Sequence, residues 1–287
     1  MQIRTTPLIV GCCLAAVALA LGALVATGHT DLRLSTDAEA DTTPLLAVAS
    51  SLAAGLLLIR LVPPRLPAPA PWPAEERPAL TRQALGLTAV AVAVVLALVA
   101  LRDTAFYGAA KVALLLGGAA LVLLLWRSPS PLRRARAEVP ARWRLLAPVP
   151  AVVCWAYLLY YSPLAGSSDV SAYAGLDRAY LILAMALTFL TASVTEEVFY
   201  RLLLQTRLEA LLGRWGAILP TALLFAAMHL SRLVETPTWQ ALATIAVWHG
   251  GLGILLGYLW SRHRSVWGVL AVHTAVNSLI LLPVVLG

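Results

Sequence analysis

Charged side chains are scarce in this sequence. They make up 12% of its 287 residues, whereas hydrophobic residues make up 60%. About 25% of the residues of a typical soluble domain are charged. This shortage excludes an ordinary soluble fold, because most of the chain has no polar surface to present to water. Lipid is the expected solvent, and the sequence predicts an integral membrane protein.

Cysteine is also rare, and several diagnostic patterns are missing. Cys12, Cys13 and Cys154 are the only cysteines, and each lies in an apolar run. They are predicted to be small core residues and not disulfide partners. The chain has no internal repeat and no glycine-rich nucleotide-binding pattern. These absences exclude a disulfide scaffold, a repeat array and a nucleotide-binding fold.

Long apolar runs dominate what is present. About 20 consecutive apolar residues can cross a bilayer as a helix, and nine such runs can be counted here. They lie approximately at 7–28, 44–62, 84–101, 105–126, 145–163, 179–204, 215–231, 239–260 and 266–286. The predicted fold is therefore an all-α, polytopic transmembrane helical bundle of about nine spans.

Basic residues, almost all of them arginine, lie in alternate loops beside these spans. Loops rich in arginine and lysine favour the cytoplasmic side of a membrane. With the N-terminus cytoplasmic and the C-terminus outside, sixteen arginines are inside and four outside. The inside set is Arg4, Arg60, Arg65, Arg77, Arg82, Arg127, Arg133, Arg134, Arg136, Arg142, Arg144, Arg201, Arg207, Arg214, Arg262 and Arg264; the outside set is Arg33, Arg102, Arg178 and Arg232. The placement of the arginines, and not the net charge of +7, indicates the membrane orientation, so nucleic-acid binding is not expected. The bacterial inner membrane is the expected location.

Two boundaries divide the chain. Prolines are dense between Pro63 and Pro78, which predicts an extended connector without helix, and a basic loop runs from Arg127 to Arg144. The predicted regions are an N-terminal transmembrane hairpin at 1–62, a Pro-rich cytoplasmic linker at 63–83, further transmembrane helices with the basic loop at 84–144, and a core at 145–287. The first four spans are almost featureless. Lys111 is the exception, and a structural role at the outer end of its span is expected for it.

Polar residues gather in spans 6, 7 and 9. Ionisable side chains inside a membrane are costly, so they are candidates for function. Span 6 carries Glu196, Glu197 and Arg201, span 7 carries Phe225 and His229, and span 9 carries His273 and Asn277, which is the only Asn in the chain.

Helical geometry predicts that these residues meet. Glu196 lies 17 residues before Gly213, the predicted turn between spans 6 and 7, and His229 lies 16 residues after it, so the two reach a similar depth. Residues four apart share one face of a helix. Glu197 and Arg201 are therefore predicted to form a structural ion pair, and Glu196, about 100° around the helix, is left free for chemistry.

Three motifs in order carry a resemblance to a known family. They are Glu-Glu-x-x-x-Arg at 196–201, Phe-x-x-x-His at 225–229 and His-x-x-x-Asn at 273–277. This series is similar to the signature of the CPBP family, also called the Abi family, which contains the type II CAAX-processing enzymes. The resemblance covers roughly 145–282. It implies an intramembrane peptidase that acts on a membrane-associated protein or peptide.

The resemblance also implies roles for individual residues. Glu196 would act as general base on a water that His229 helps to position. His273 and Asn277 would donate hydrogen bonds to the oxyanion of the tetrahedral intermediate. Glu197, Arg201 and Phe225 would support them.

Two other classes of function stay open. A proton-coupled transporter could use Glu196 and His229 as a relay, although the repeated halves and broken helices of many transporters are not evident. A membrane scaffold that kept the fold without activity is the second. Polar side chains also join membrane helices, and for His249, outside the motifs, packing is the favoured role.

No cofactor is expected, and zinc is the alternative. Glu196, His229 and His273 could supply three ligands to a metal ion. The His-Glu-x-x-His arrangement of many zinc peptidases is absent, and Glu196 would have to serve as both ligand and base. A metal-free mechanism is therefore the favoured interpretation.

Overall fold

The computed structural model describes residues 6–33, 42–64, 72–127, 131–166, 170–232 and 238–287. Arg4 and Arg65 of the arginine pattern, and the linker prolines Pro67, Pro69 and Pro71, lie outside these ranges. Within them the chain is almost entirely helical. The exception is one small antiparallel sheet, β1 (Asp31–Arg33) with β2 (Thr42–Pro44).

The helices follow one another in a simple order. The first half contains α1 (Thr6–Ala26), α2 (Leu45–Leu61), α3 (Arg77–Ala100), α4 (Tyr107–Val112), a π-helical segment at Ala113–Gly117, α5 (Gly118–Leu125), α6 (Pro131–Ala137), α7 (Ala141–Leu146) and α8 (Val149–Tyr160). The second half contains α9 (Ser171–Ala174), α10 (Arg178–Thr188), π-helix at Phe189–Val194, α11 (Thr195–Glu197), π-helix at Val198–Gln205, α12 (Thr206–Ala227), 3₁₀-helix at Met228–Arg232, α13 (Thr238–His263), α14 (Val266–Ser278), 3₁₀-helix at Leu279–Leu281 and α15 (Leu282–Leu286).

Seven helical stretches in the described ranges are long and apolar enough to cross a membrane. One of them, Arg178–Ser231, contains 54 residues and corresponds to two of the predicted spans, and the shorter apolar helix Leu45–Leu61 corresponds to another. The predicted all-α, polytopic helical bundle is therefore confirmed.

Gly213 divides the longest stretch into two helices. Its backbone has φ 75° and ψ 177°, which is not helical. A side chain would be strained at this positive φ, and glycine adopts it without cost. The chain reverses here, as the sequence predicted, and the two halves of the hairpin can place their side chains against each other.

The linker is shorter than predicted. Helix α3 begins at Arg77, so its first turns occupy the end of the predicted 63–83 connector. Pro78 lies in the first turn of α3, where its missing N–H costs nothing because that group would have no partner within the helix. The prediction that Pro78 cannot be helical was therefore wrong.

The N-terminal helices pack directly on the second half of the chain. Helix α1 contacts α12 and α13, and α2 contacts α8 and α13. Helices α12 and α13 approach very closely at Gly253, where an added Cβ would lie 2.9 Å from the Cα of Ala222. Small residues permit such close contacts between membrane helices, and this contact brings α13 beside the end of α12 that carries the histidine motif.

Arginine-bearing segments meet at one end of the bundle. Arg262 reaches the carbonyl oxygens of Arg60 and Val62 at 3.4 and 3.5 Å, and Trp267 donates to the carbonyl oxygen of Arg144 at 3.1 Å. These contacts join three of the segments that the arginine pattern assigns to the cytoplasm.

We expect this end to face the cytoplasm, with the C-terminus on the opposite side. Reporter fusions after Arg136 and after Gly287 should therefore report opposite sides of the membrane. A fusion after Arg264 serves as a second internal control and should agree with the one after Arg136. Finding the Arg136 and Gly287 reporters on the same side would refute the orientation.

Candidate active site

The two adjacent glutamates lie on a short α-helical turn between two π-helical segments. Phe189–Val194 precedes this turn and Val198–Gln205 follows it. The wider spacing is visible in two side-chain bonds that span five residues, from Thr195 to the carbonyl of Leu190 at 2.8 Å and from Thr206 to that of Arg201 at 2.9 Å. π-Helical segments are rare and occur often at functional sites.

Glu197 is the centre of a buried polar group. Its Oε2 lies 3.1 Å from the Nε of Arg201, so the predicted ion pair is present. Its Oε1 lies 2.8 Å from the Nδ1 of His273. The Arg201 guanidinium also lies over the Phe225 ring, 4.9 Å from the centroid, a distance typical of a cation–π contact. Glu197 therefore links the first motif to the third, and Phe225 links it to the second.

Glu196 is paired, contrary to the expectation that it was free. Its Oε1 lies 2.8 Å from the Nζ of Lys111, and both side chains are buried. Lys111 was expected to reach the outer end of its span; instead it points into the bundle, because a buried carboxylate offers it a partner of opposite charge. The other oxygen, Oε2, has no hydrogen-bond partner among the described residues. It lies 3.8 Å from the Nε2 of His273, too far for a hydrogen bond.

The aromatic rings bring the two motif histidines together. Phe225 lies edge-on to both, with centroid distances of 5.1 Å to His229 and 5.7 Å to His273. The Nδ1 of His229 lies 3.0 Å from the Phe225 carbonyl oxygen. A carbonyl accepts, so Nδ1 carries the proton in this bond. His249, expected to pack, stacks on His229 with a centroid distance of 3.8 Å.

Asn277 lies one turn beyond His273 on α14. Its Nδ2 lies 3.4 Å from the Oγ of Ser193, a residue of the π-helical segment Phe189–Val194. This contact is long for a hydrogen bond. The amide is therefore held on the same side as the glutamate turn by a weak contact that a better acceptor can replace.

A comparison with family models matches the part of the chain that carries the three motifs. Residues 178–279 match the family model described as Type II CAAX prenyl endopeptidase Rce1-like. This part of the chain is therefore similar to the CPBP family, which contains such enzymes. The matched region is about a third of the sequence and contains all three motifs. No curated protein and no solved structure gives a significant match. The match supports a CAAX-type intramembrane endopeptidase in general terms, a class that acts on membrane-associated proteins or peptides.

The motif residues do not fit a zinc site well. In the described part of the chain, no group of three or more His, Cys, Asp or Glu side chains is placed to hold a metal ion. The Lys111 ammonium also adds positive charge at Glu196, where a dication would need an anionic ligand. These side chains therefore offer a metal ion a poor set of ligands.

Lys111 and Ser193 are the parts of this candidate site that the motifs did not reveal. Lys111 lies outside the family match, 85 residues before its partner. A signal was nevertheless present, since it is the only lysine in the sequence and interrupts an apolar run. Ser193 carried no such signal, because a lone serine in a membrane helix is common.

Proposed function

We propose that the protein is an intramembrane endopeptidase in which Glu196 activates water by general-base catalysis. The observation that carries this proposal is the Oε2 atom of Glu196. It is buried, has no hydrogen-bond partner among the described residues and faces the Nε2 of His273 across 3.8 Å. A carboxylate oxygen without a partner can accept a proton from a bound water.

The charge balance of the site supports this chemistry. Two buried carboxylates, Glu196 and Glu197, are matched by two cations, Lys111 and Arg201, in separate pairs. Buried charges are tolerated when they are paired in this way. Each glutamate therefore has its own cation, and Glu196 keeps one oxygen available for proton transfer.

The reaction then follows in two steps. Glu196 takes a proton from a water that His229 helps to position, and the water oxygen bonds to the carbonyl carbon of the substrate. Nε2 of His273 and Nδ2 of Asn277 donate to the resulting oxyanion. The intermediate collapses, the C–N bond breaks, and the proton held by Glu196 passes to the departing amine.

His273 must carry a proton on both ring nitrogens to act in this way. Its Nδ1 already bonds to the Glu197 carboxylate, and a carboxylate can only accept. Nε2 therefore donates to an oxyanion only in the cationic ring form. The carboxylates of Glu197 and Glu196 lie 2.8 and 3.8 Å from this ring, so cationic His273 would be a third positive charge beside the two ion pairs.

The substrate class follows from the membrane setting and from the family description. That description names prenyl endopeptidases, so the first substrate to test is a prenylated peptide with a Cys-aliphatic-aliphatic-X terminus. Purified protein in proteoliposomes should cleave an internally quenched peptide of this kind. In parallel, protein termini should be compared by mass spectrometry in membranes from cells that carry the wild type or His229→Ala. No cleavage of the peptide and identical termini in both membranes would refute the proposal.

Asn277→Ala should reduce cleavage less than loss of the base does. An oxyanion donor typically contributes about 10²–10³ in rate, and the contact of the Asn277 amide with Ser193 is a weak one at 3.4 Å. We expect kcat to fall by that factor with little change in KM. Ser278→Ala, the neighbouring position on α14, is the matched control and should keep wild-type kcat. An unchanged kcat in Asn277→Ala would remove this residue from the mechanism.

Cleavage should continue after exhaustive chelation. Among the described residues, no three His, Cys, Asp or Glu side chains are placed to bind one zinc ion. Glu196 already pairs with the Lys111 ammonium group. We expect purified protein in detergent to contain less than stoichiometric zinc by elemental analysis and to keep its kcat. Loss of activity on chelation with recovery on zinc addition would instead assign Glu196, His229 and His273 as ligands.

A further inference from the structure

Lys111 reaches the proposed site from outside the matched region. It is the last residue but one of α4, and the π-helical segment Ala113–Gly117 follows directly after this helix. Its side chain is buried, and its Nζ lies 2.8 Å from Oε1 of Glu196. The first half of the chain therefore contributes a charged group to the glutamate turn.

We propose that Lys111 is a positioning residue for Glu196. It holds Oε1 so that Oε2 is presented to the reacting water, an inference that rests on the endopeptidase function proposed above. The two oxygens of Glu196 are clearly different, since one lies on the ammonium group and the other has no hydrogen-bond partner among the described residues.

The surroundings of Glu196 explain why such a restraint is needed. One alternative partner for the carboxylate is the Nε2 of His273, 3.8 Å from Oε2. Without Lys111, the carboxylate can turn toward that nitrogen and form a direct bond. This movement would occupy the proposed base and one proposed oxyanion donor at the same time.

The positioning role makes a prediction that a purely structural role does not. A misplacement of a reacting group by about 1 Å can cost roughly 10²-fold in rate. Lys111→Met should therefore lower kcat by about 10²-fold and leave KM near the wild-type value, because the substrate-binding surface is unchanged. Lys111→Arg keeps a cation at this place and should recover part of kcat.

The kinetic test uses full-length protein in proteoliposomes and the quenched prenylated peptide. The matched control is Arg102→Met, since Arg102 is an exposed cation on the loop just before α4 and pairs only with Asp103 among the described residues. It should keep wild-type kcat. Wild-type kcat in Lys111→Met, measured where the wild type is active, would overturn the positioning role. An equal loss in Lys111→Arg and Lys111→Met would do the same.

A second measurement needs no substrate. The Tm values of Lys111→Met, Glu196→Gln and the double variant form a double-mutant cycle in detergent. Lys111→Met leaves the buried Glu196 carboxylate without its cation, and Glu196→Gln leaves the buried Lys111 ammonium without its anion, so each single variant should have a lower Tm. The double variant has neither charge and should regain much of the lost Tm. Additive losses would overturn the pairing on which the proposal stands. If the wild type failed to cleave the peptide, the endopeptidase function would be at fault, and this cycle would still decide the pairing.

Discussion

Glu196→Gln should abolish cleavage while the protein stays folded in the membrane. Removal of a general base typically costs about 10²–10⁴ in rate, and the glutamine amide keeps the shape of the side chain without accepting the proton. The measurement is kcat with the quenched prenylated peptide in proteoliposomes, together with gel-filtration profile and Tm in detergent. His229→Ala and His273→Ala should also lose cleavage, because each removes a group that contacts water or oxyanion in the proposed reaction.

Glu209→Gln is the matched control for this prediction. Glu209 is a buried carboxylate like Glu196, and it pairs with Arg264 at 2.8 Å at the arginine-rich end of the bundle. Its substitution should lower Tm, because it leaves a buried arginine without its anion, but the folded fraction should keep wild-type kcat. Comparable kcat in Glu196→Gln and the wild type would refute the general-base role.

Arg201→Ala should cause the largest loss of stability. Removing one partner of a buried ion pair typically costs about 3–5 kcal/mol, because the remaining charge is stranded. Arg201 is fully buried. Its loss would leave Glu197 with His273 as its one charged partner among the described residues, and would remove the cation above the Phe225 ring. We expect low yield from membranes and a lowered unfolding midpoint in detergent.

Two further variants separate this effect from a general sensitivity to arginine removal. Arg102→Ala breaks an exposed pair with Asp103 and should change the unfolding midpoint little, since exposed pairs contribute little. The double variant Arg201→Met with Glu197→Gln removes both charges and should unfold at a higher midpoint than Arg201→Ala. Wild-type yield and midpoint in Arg201→Ala would contradict the importance of the buried pair.

The local geometry around the glutamates shows a limit of sequence patterns. The spacing of Glu197 and Arg201 predicted their pair, and the pair is present because a four-residue contact is local. The π-helical segments at Phe189–Val194 and Val198–Gln205 were not predicted. Their backbone hydrogen bonds span five residues and not four, and no particular composition marks them, so only packing reveals them.

The linker boundary shows a second limit. Proline density predicted a stretch without helix as far as Pro78, within a linker that ended at 83. In the structure α3 begins at Arg77 and contains Pro78 in its first turn. Proline is disfavoured inside a helix and accepted at its start. Whether Pro78 ends a connector or starts a helix depends on where α3 begins to pack against its neighbours, among them α12.

The sequence by itself determined the membrane setting, the helical class and the three motifs. Hydrophobic length and motif spacing are properties of short segments, so they can be read without knowing what each segment contacts. Only the tertiary structure decided which cation pairs with which carboxylate. Lys111 and Glu196 are 85 residues apart, and nothing in either segment specifies the other. Burial decided it, because each charge needs a partner in a place that excludes water.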